Sequence, residues 1–279
     1  MRVILIRYGE IGLKGRNRVV FENKLIENIM TALSIERNKI KKTSGRIILY
    51  IEEKEEILKK LKKIFGIVSI SPANKIEVDI EKIKQECLNI AKSNSHKSFK
   101  ISVQRLQKKL RPSPELEKEI GEYVLKNNMG KVKLKNPDLE IFVEIADNAY
   151  IFKDKIKCLG GLPVGIEGCV SLLLENIDSA LAGILMMKRG CCLIPFYTEK
   201  KREIKEAFKL IREYGCFNEI KFAKNIKEIE EISIKNNSFS LVVNQTLKNL
   251  KEIKTEMVIL RPLIGISIKE AKQSLCISI

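Results

Sequence analysis

The spacing of apolar residues predicts alternating strands and helices from the first residue onward. An apolar strand over 1–7 precedes a glycine-rich loop, after which Phe21, Leu25, Ile29 and Leu33 recur at helical spacing. The next predicted elements are a strand over 45–51, a helix over 55–65 and a strand over 66–73. This order predicts a small α+β domain over residues 1–73, with helices packed on an open sheet.

A second α+β pattern covers residues 74–157. In FKISVQR, the apolar residues Phe99, Ile101 and Val103 alternate with polar ones, which predicts a half-buried strand. Ser113 and Pro114 suit the N-cap and the first position of the helix that follows. A strand is predicted over 131–134 in KVKLK, and Lys131, Lys133 and Lys135 fall on one face by the period of two. The glycine-rich stretch 160–165 marks the end of this domain.

From 158 to 279 strands and helices alternate along the chain, which predicts a doubly wound parallel sheet with helices on both faces. The strand 170–174 leads through a tight turn into a buried helix, for which Asp178 or Ser179 is the expected N-cap. Another helix is expected over 246–253. Ligands of such sheets lie at the carboxyl ends of the strands, over a helix N-terminus. The turn after residue 174 is therefore the candidate ligand site.

The charge of the chain indicates a polyanionic partner. The formal net charge is +17 over 279 residues, and basic residues exceed acidic ones in each of the three parts. Such a surface favours nucleic acid first and an anionic membrane second. A lysine- and glutamate-rich composition typical of growth at high temperature is the alternative explanation.

The cysteines, the single histidine and the apolar runs limit the kinds of site that the chain can contain. The seven cysteines are odd in number and form no CxxC pair, so we expect reduced thiols in a cytoplasmic protein. His96 is the single histidine, which argues against histidine catalysis and against a metal cluster. No apolar run reaches the ~18 residues that would span a bilayer, so no membrane partner is expected.

Three basic stretches flank predicted strands and are candidate phosphate contacts. An exposed lysine face is by itself most often a solubility device, but three such stretches in adjacent domains favour contacts with a nucleic-acid backbone. Because few exposed aromatics accompany them, recognition of structured RNA by shape fits better than stacking on single strands. Besides the lysines of KVKLK, the candidates are Arg7, Lys14, Arg16, Arg18, Lys100, Arg105, Lys108, Lys109 and Arg111.

The same stretches resemble a known family. RYGEIGLKGRNRVVFENKLIENI, GIVSISPA, FKISVQR and SPELEKEIGEYVL are similar to the tRNA 4-thiouridine sulfurtransferases. The similarity continues through GGLPVG, NIDSALAGILMMKRG, NQTLKNLKEI and VILRPLIGISIKE. It implies a ferredoxin-like domain over 1–73, a THUMP domain over 74–157 that engages the acceptor end of tRNA, and a PP-loop α/β domain over 158–279. Active members adenylate a uridine oxygen before sulfur replaces it, and also act in thiamine thiazole biosynthesis.

One motif departs from this resemblance. Active members carry Ser-Gly-Gly-x-Asp-Ser after the first strand of the last domain, where the glycines let backbone N–H groups surround the pyrophosphate of ATP. This chain has Leu-Glu-Asn-Ile-Asp-Ser over 174–179, without the glycines and the leading serine. A carboxylate ~4 Å from phosphate oxygens would repel them by about 1 to 4 kcal/mol. The candidate nucleotide-binding residues are Glu175, Asn176, Asp178, Ser179 and Gln245.

Two hypotheses follow from the resemblance and the departure. The first is a tRNA-binding family member that does not adenylate on its own and acts with a sulfur-donor or catalytic partner. The second is an active sulfurtransferase that uses ATP, magnesium and an external sulfur donor. The family's catalytic cysteine, which the resemblance implies to lie beyond LRPL, is not matched by Cys276 in SLCISI. The residues do not assign the oligomeric state, and a homodimer is compatible with either hypothesis.

Overall fold

The computed structural model describes residues 1–43, 45–106, 111–127, 129–215 and 219–277. Within these ranges the chain forms fourteen strands, eight α-helices and three short 3-10 helices. The strands are β1 (Arg2–Tyr8), β2 (Ile40–Thr43), β3 (Arg46–Leu49), β4 (Ile67–Ile76), β5 (Ser98–Arg105), β6 (Lys131–Val132), β7 (Leu139–Ile145), β8 (Ala149–Phe152), β9 (Ile156–Lys157), β10 (Cys169–Leu173), β11 (Cys192–Tyr197), β12 (Lys221–Phe222), β13 (Ser240–Val242) and β14 (Val258–Leu260). The helices are α1 (Arg18–Leu33), α2 (Glu55–Lys62), α3 (Ile80–Lys92), α4 (Ser113–Lys126), α5 (Ile177–Lys188), α6 (Arg202–Arg212), α7 (Ile226–Lys235) and α8 (Ile268–Ser274).

The strands form two sheets. One is mixed and has nine strands in the order β2-β3-β1-β4-β8-β7-β5-β6, with β9 paired to β4. The other has five strands in the order β12-β11-β10-β13-β14, and every pairing in it is parallel. The chain leaves β10 first towards β11 and β12 and later returns to β13 on its other side. The predicted doubly wound parallel sheet is therefore confirmed, and its topological switch point lies between β10 and β13.

The chain divides into two compact units that interleave along the sequence. The first unit comprises Met1–Ile6, Asn38–Lys54 and Ile70–Ile156, and the second comprises Arg7–Arg37, Glu55–Ser69 and Lys157–Ile279. Helices α1 and α2 thus belong to the same unit as the parallel sheet. The division into three domains at residues 73 and 157 stays a prediction.

The first unit is built around α3, α4 and the strand β5. Phe99, Ile101 and Val103 are buried in one cluster, as their alternation predicts. Helix α3 starts at Asp79, whose carboxylate accepts hydrogen bonds from two backbone N–H groups of the first turn, at 2.8 and 3.0 Å. These bonds lower the pKa of Asp79. Helix α4 begins one residue earlier than predicted, because Pro112 rather than Ser113 is its N-cap.

The second unit joins α1, α2 and the parallel sheet. The Asn28 side chain of α1 donates a hydrogen bond to the carbonyl oxygen of Val164 at 3.1 Å. Phe65, which follows α2, is fully buried and stacks on Tyr214 at 5.8 Å between ring centroids. Burial is the main cause that raises the pKa of Tyr214 to about 12. Large aromatic side chains therefore contribute to the contact between these helices and the α/β part.

The structure corrects two expectations for the second unit. Cys169 and Cys192 stand opposite each other on β10 and β11 and form a disulfide with 4.4 Å between their Cα atoms, so the expectation that all cysteines are reduced is wrong for this pair. The helix predicted over 246–253 is absent. The Asn249 side chain instead accepts hydrogen bonds from the backbone N–H and the hydroxyl of Thr246, which stabilises a turn.

Among the described residues, no helix has both the length and the apolar character needed to cross a lipid bilayer.

A buried ion pair lies inside the first unit. The Nε atom of Arg46 on β3 is 3.0 Å from a carboxylate oxygen of Glu144 on β7, and both side chains are largely buried. A second guanidinium nitrogen contacts the Gln104 side chain at 3.4 Å. A buried charge of this kind stabilises the fold only while its partner is present.

We therefore predict that Arg46→Met lowers the free energy of unfolding by about 3 to 5 kcal/mol, because it leaves the Glu144 carboxylate buried without this partner. Urea titration followed by circular dichroism measures the change. The double variant Arg46→Met with Glu144→Leu is expected to recover much of the loss. Equal unfolding free energies for Arg46→Met and the unchanged protein would contradict this account.

Candidate functional site

The candidate ligand site is the loop that joins β10 to α5. It follows the carboxyl end of β10, at the switch point of the parallel sheet, and the first turn of α5 comes directly after it. In this fold class an anion at such a position would be bound by backbone N–H groups and by the positive end of the helix dipole. The hydrogen bonds of the loop therefore decide what it can hold.

The hydroxyl of Ser179 engages the backbone of this loop from within. Its oxygen accepts hydrogen bonds from the backbone N–H groups of Glu175 at 2.9 Å and Asn176 at 3.0 Å. The same hydroxyl donates to the carbonyl oxygen of Asn176 at 2.6 Å. Ser179 is completely buried. Two backbone donors that point towards an anion in a phosphate-binding loop are thus used by a side chain of the protein.

Asn176 closes the other side of the loop. It is the N-cap of α5, and its side-chain oxygen accepts from the backbone N–H of Ser179 at 3.1 Å. The expected cap at Asp178 or Ser179 is therefore wrong: Asp178 lies in the first turn, and Ser179 is the third residue of a reciprocal capping box. Sequence spacing misses this because Asn176 is as good a cap residue as the two that follow it.

A bridge from β13 completes the arrangement. The Asn244 side chain donates to the side-chain oxygen of Asn176 at 3.2 Å, which links the loops that follow β13 and β10 at the switch point. Gln245 is buried, and its side-chain oxygen accepts from Nε of Arg261 at 2.8 Å. Asn244 was not predicted from the sequence, although it directly precedes Gln245 in the NQT stretch.

Glu175 is exposed at the mouth of this loop. The Glu199 carboxylate, with a smaller contribution from Glu175, raises the pKa of Lys201. Glu175 therefore lies within electrostatic reach of the loop that follows β11, and a negative charge stands at the entrance of the site.

The predicted RNA contacts of the second unit differ in their availability. Arg7 is buried. Arg18 contacts Glu22 at 2.7 Å and the Tyr8 hydroxyl at 2.8 Å, and the hydrogen bond to Glu22 is the main cause that raises the pKa of Arg18. The remaining two, Lys14 and Arg16, are half-buried and exposed respectively, and the Lys14 ammonium lies 4.7 Å from the centre of the Phe21 ring.

Most of the predicted RNA contacts of the first unit that the structure describes are ion-paired. Lys100 is 3.3 Å from Glu140, and Arg111 is 2.5 Å from Glu119. Arg105 is half-buried at the end of β5. Lys108 and Lys109 lie outside the described residues.

The lysines of KVKLK are the most exposed basic group predicted in the first unit. Lys131, Lys133 and Lys135 are all exposed, and none of them forms an ion pair with another described residue. Only Lys131–Val132 forms a strand, at the edge of the sheet beside β5, so the predicted four-residue strand is shorter than expected. We call Lys131, Lys133 and Lys135 the edge lysines.

Among the described residues, no group of three or more histidine, cysteine, aspartate or glutamate side chains is placed to hold a metal ion.

Comparison with known proteins identifies the family. The ThiI ferredoxin-like domain matches residues 3–71 and the THUMP domain matches residues 77–154. A probable tRNA sulfurtransferase of Thermococcus kodakarensis is 34% identical over 324 residues, which cover 96% of this chain and 85% of that protein. The chain belongs to the tRNA sulfurtransferase family. A second relative, from Thermoanaerobacter sp. strain X514, is 35% identical over 94% of this chain and 82% of its own length.

Solved structures of the family share the fold. PH1313 from Pyrococcus horikoshii superposes with a TM-score of 0.88 at 30% identity and covers 98% of both chains. A 4-thiouridine synthetase solved as an RNA complex with bound ATP superposes with a TM-score of 0.81 at 27% identity, over 99% of this chain and 84% of that one. The ferredoxin-like, THUMP and PP-loop arrangement expected from the sequence is therefore confirmed.

The sulfurtransferase relatives also contain residues that this chain lacks. The matches extend over 324 and 312 residues, whereas this chain has 279, so the alignments contain gaps in this chain.

We predict that Ser179→Ala lowers the free energy of unfolding by about 1 to 2 kcal/mol, because it removes the acceptor of two partly buried N–H groups. Amide hydrogen exchange at Glu175 and Asn176 should become faster in the variant. Ser274→Ala, which removes a single hydrogen bond at the end of α8, is the matched control. Unchanged exchange at both amides would show that the hydroxyl does not hold this loop.

Proposed function

We propose that this chain is a tRNA-binding member of the sulfurtransferase family that does not adenylate its RNA. The observation that carries the proposal is the Ser179 hydroxyl, which accepts hydrogen bonds from the N–H groups of Glu175 and Asn176. ATP could bind in the way the family motif implies only if those bonds were broken and Glu175 moved away from the phosphates.

Three observations support RNA as the partner. The chain carries a formal charge of +17, which favours a polyanion. Its residues 77–154 match the THUMP domain. A structural neighbour that covers 99% of this chain was solved with RNA bound. The cations best placed for phosphate contacts are Arg16 and the edge lysines, because they are exposed and form no ion pair among the described residues.

The residues present do not fit ATP and magnesium. The N–H groups of Glu175, Asn176 and Ser179 are all engaged by side chains of the loop itself. The Asn244 side chain, which follows β13, donates a hydrogen bond to the side-chain oxygen of Asn176. The carboxylate of Glu175 would face phosphate oxygens of the same sign of charge. No reaction step through ATP follows from this arrangement.

In this role a partner protein catalyses sulfur insertion. This chain binds the tRNA in the cytoplasm. The alternative is an active sulfurtransferase with an external sulfur donor. It is favoured by the relatives named tRNA sulfurtransferases and by the ATP bound in a structural neighbour. It is also favoured by the retained Asp178 and Ser179, whose positions in the first turn of α5 are also explained by capping.

We predict that isothermal titration calorimetry with ATP and magnesium detects no binding at micromolar affinity. The Glu175 carboxylate would repel the phosphates, and the backbone N–H groups that could bind them already donate to protein acceptors. Binding of tRNA by the same preparation is the control for a folded, competent protein. Micromolar ATP affinity would contradict the proposal and favour the active enzyme.

We also predict that Lys131→Glu, Lys133→Glu and Lys135→Glu together weaken tRNA binding and flatten its salt dependence. Each lost phosphate contact lowers the slope of log K against log salt by about one. Fluorescence anisotropy with labelled tRNA at several salt concentrations measures both quantities. The matched control is Lys209→Glu with Lys235→Glu, which changes exposed lysines at the C-terminal ends of α6 and α7.

The slope separates specific contacts from net charge. If only net charge matters, the control variant should also show a lower salt slope, in proportion to its two charge reversals. Equal slopes for the unchanged protein and the edge-lysine variant would remove these lysines from the RNA interface.

A further inference from the structure

A second site lies beside the closed loop, at the carboxyl end of β11. It is a cavity of about 500 Å³ in the second unit. Four cations and two aromatic rings line it, together with two isoleucines. The lining cations and rings are Lys200, Lys201, Arg202, Lys205, Tyr197 and Phe208. We call this site the basic aromatic pocket.

The register of two parallel strands places a further ring beside it. Tyr197, the last residue of β11, stands opposite Phe222 on β12, and their ring centroids are 5.3 Å apart. Tyr197 is half-buried against the core, whereas Phe222 is 49% exposed on a strand at the edge of the sheet. The pair therefore presents an aromatic face to solvent that no described part of the chain covers.

The charged side chains that line the pocket are all positive. No acidic side chain lines it. Lys201 contacts Glu199 at 2.6 Å, and Arg202 is 3.9 Å from Glu206 with 92% of its side chain exposed. Lys200 and Lys205 form no ion pair with any other described residue. At least two positive charges thus remain available in a pocket whose Tyr197 ring contacts the exposed ring of Phe222.

Exposed lysines alone are most often a solubility device, and an exposed phenylalanine alone is ordinary. Their combination is the arrangement by which proteins hold unpaired nucleotides, with a base stacked on a ring and its phosphate on a cation. Paired bases in an RNA helix do not offer their faces, so the ring selects an unpaired nucleotide. An acidic peptide would use the cations but would leave the ring without a partner.

We propose that the basic aromatic pocket binds an unpaired nucleotide of the tRNA, with the base on Phe222 and the phosphate on Lys200 and Lys205. This inference rests on the proposed tRNA-binding function and adds a contact in the PP-loop part that the sequence analysis did not assign. The contact is separate from the closed loop at Asn176, and it requires no ATP.

The test uses the full chain, labelled tRNA and two pairs of variants. Phe222→Ala should weaken tRNA binding about tenfold, as expected for the loss of one stacked base. Its control is Phe239→Ala, an exposed phenylalanine directly before β13, which lies on the other side of β10 in the sheet. Lys200→Glu with Lys205→Glu should lower the salt slope by about two, and Lys209→Glu with Lys235→Glu is its control. Ultraviolet crosslinking of the complex should attach RNA to the peptide that contains Phe222.

Three outcomes would overturn the inference. If the edge-lysine variant weakens binding but Phe222→Ala and Lys200→Glu with Lys205→Glu match the unchanged protein, the pocket is not an RNA contact and the proposed function stands. If the unchanged protein binds no tRNA, the proposed function and the inference fail together. If uridine monophosphate alone binds the unchanged protein but not Phe222→Ala, while their tRNA affinities are equal, the pocket serves free nucleotides instead.

Discussion

The competition for backbone N–H groups at the start of α5 decides how the candidate ligand loop is held. A helix N-terminus has a small number of free donors, and each can serve either an anion or a side chain of the protein. Here the Ser179 hydroxyl and the Asn176 amide serve them from within. A phosphate-binding loop leaves such donors open and depends on glycines so that phosphate oxygens can approach. Where the family motif has glycines this chain has Glu175 and Asn176, and the donors here serve a helix cap.

This closure stabilises the fold around it. Three hydrogen bonds to Ser179, together with the Asn244 contact, tie the loop to both strands at the switch point. Each such hydrogen bond contributes about 0.5 to 1.5 kcal/mol net to stability. The parallel sheet is thus kept as a scaffold, and its second unit also includes α1 and α2. The loop between β10 and α5 therefore contributes to the stability of this unit.

How far the sequence predicts this structure depends on how local each feature is. The alternation of Phe99, Ile101 and Val103 predicted a strand correctly, because burial on one face of a sheet imposes a period of two. The cap at Asn176 could not be chosen over Asp178 or Ser179, because all three side chains suit an N-cap. The helix expected over 246–253 gave way to a turn, because the Asn249 side chain competes for the backbone N–H of Thr246.

Contacts between strands were beyond sequence reasoning altogether. The disulfide between Cys169 and Cys192, and the pairing of Tyr197 with Phe222, both follow from the register of neighbouring parallel strands. The register is set by the folded sheet, and the sequence of one strand does not determine which residue lies opposite it on the next. For the same reason the sequence suggested RNA recognition by shape without stacking, since Phe222 and Tyr197 lie 25 residues apart in the chain.

The positions of the lysine and arginine side chains without an ion-pair partner define the RNA interface better than the total number of positive charges does. Lys100, Arg111 and Arg18 are each within hydrogen-bond or ion-pair reach of a carboxylate, so a phosphate would have to compete with that partner. The edge lysines and Lys200 and Lys205 have no such competitor among the described residues. An exposed cation that gives up only water on binding releases its counterions at little cost, whereas a paired one must first lose its carboxylate. A net charge of +17 therefore indicates a polyanion, but the unpaired subset decides where it binds.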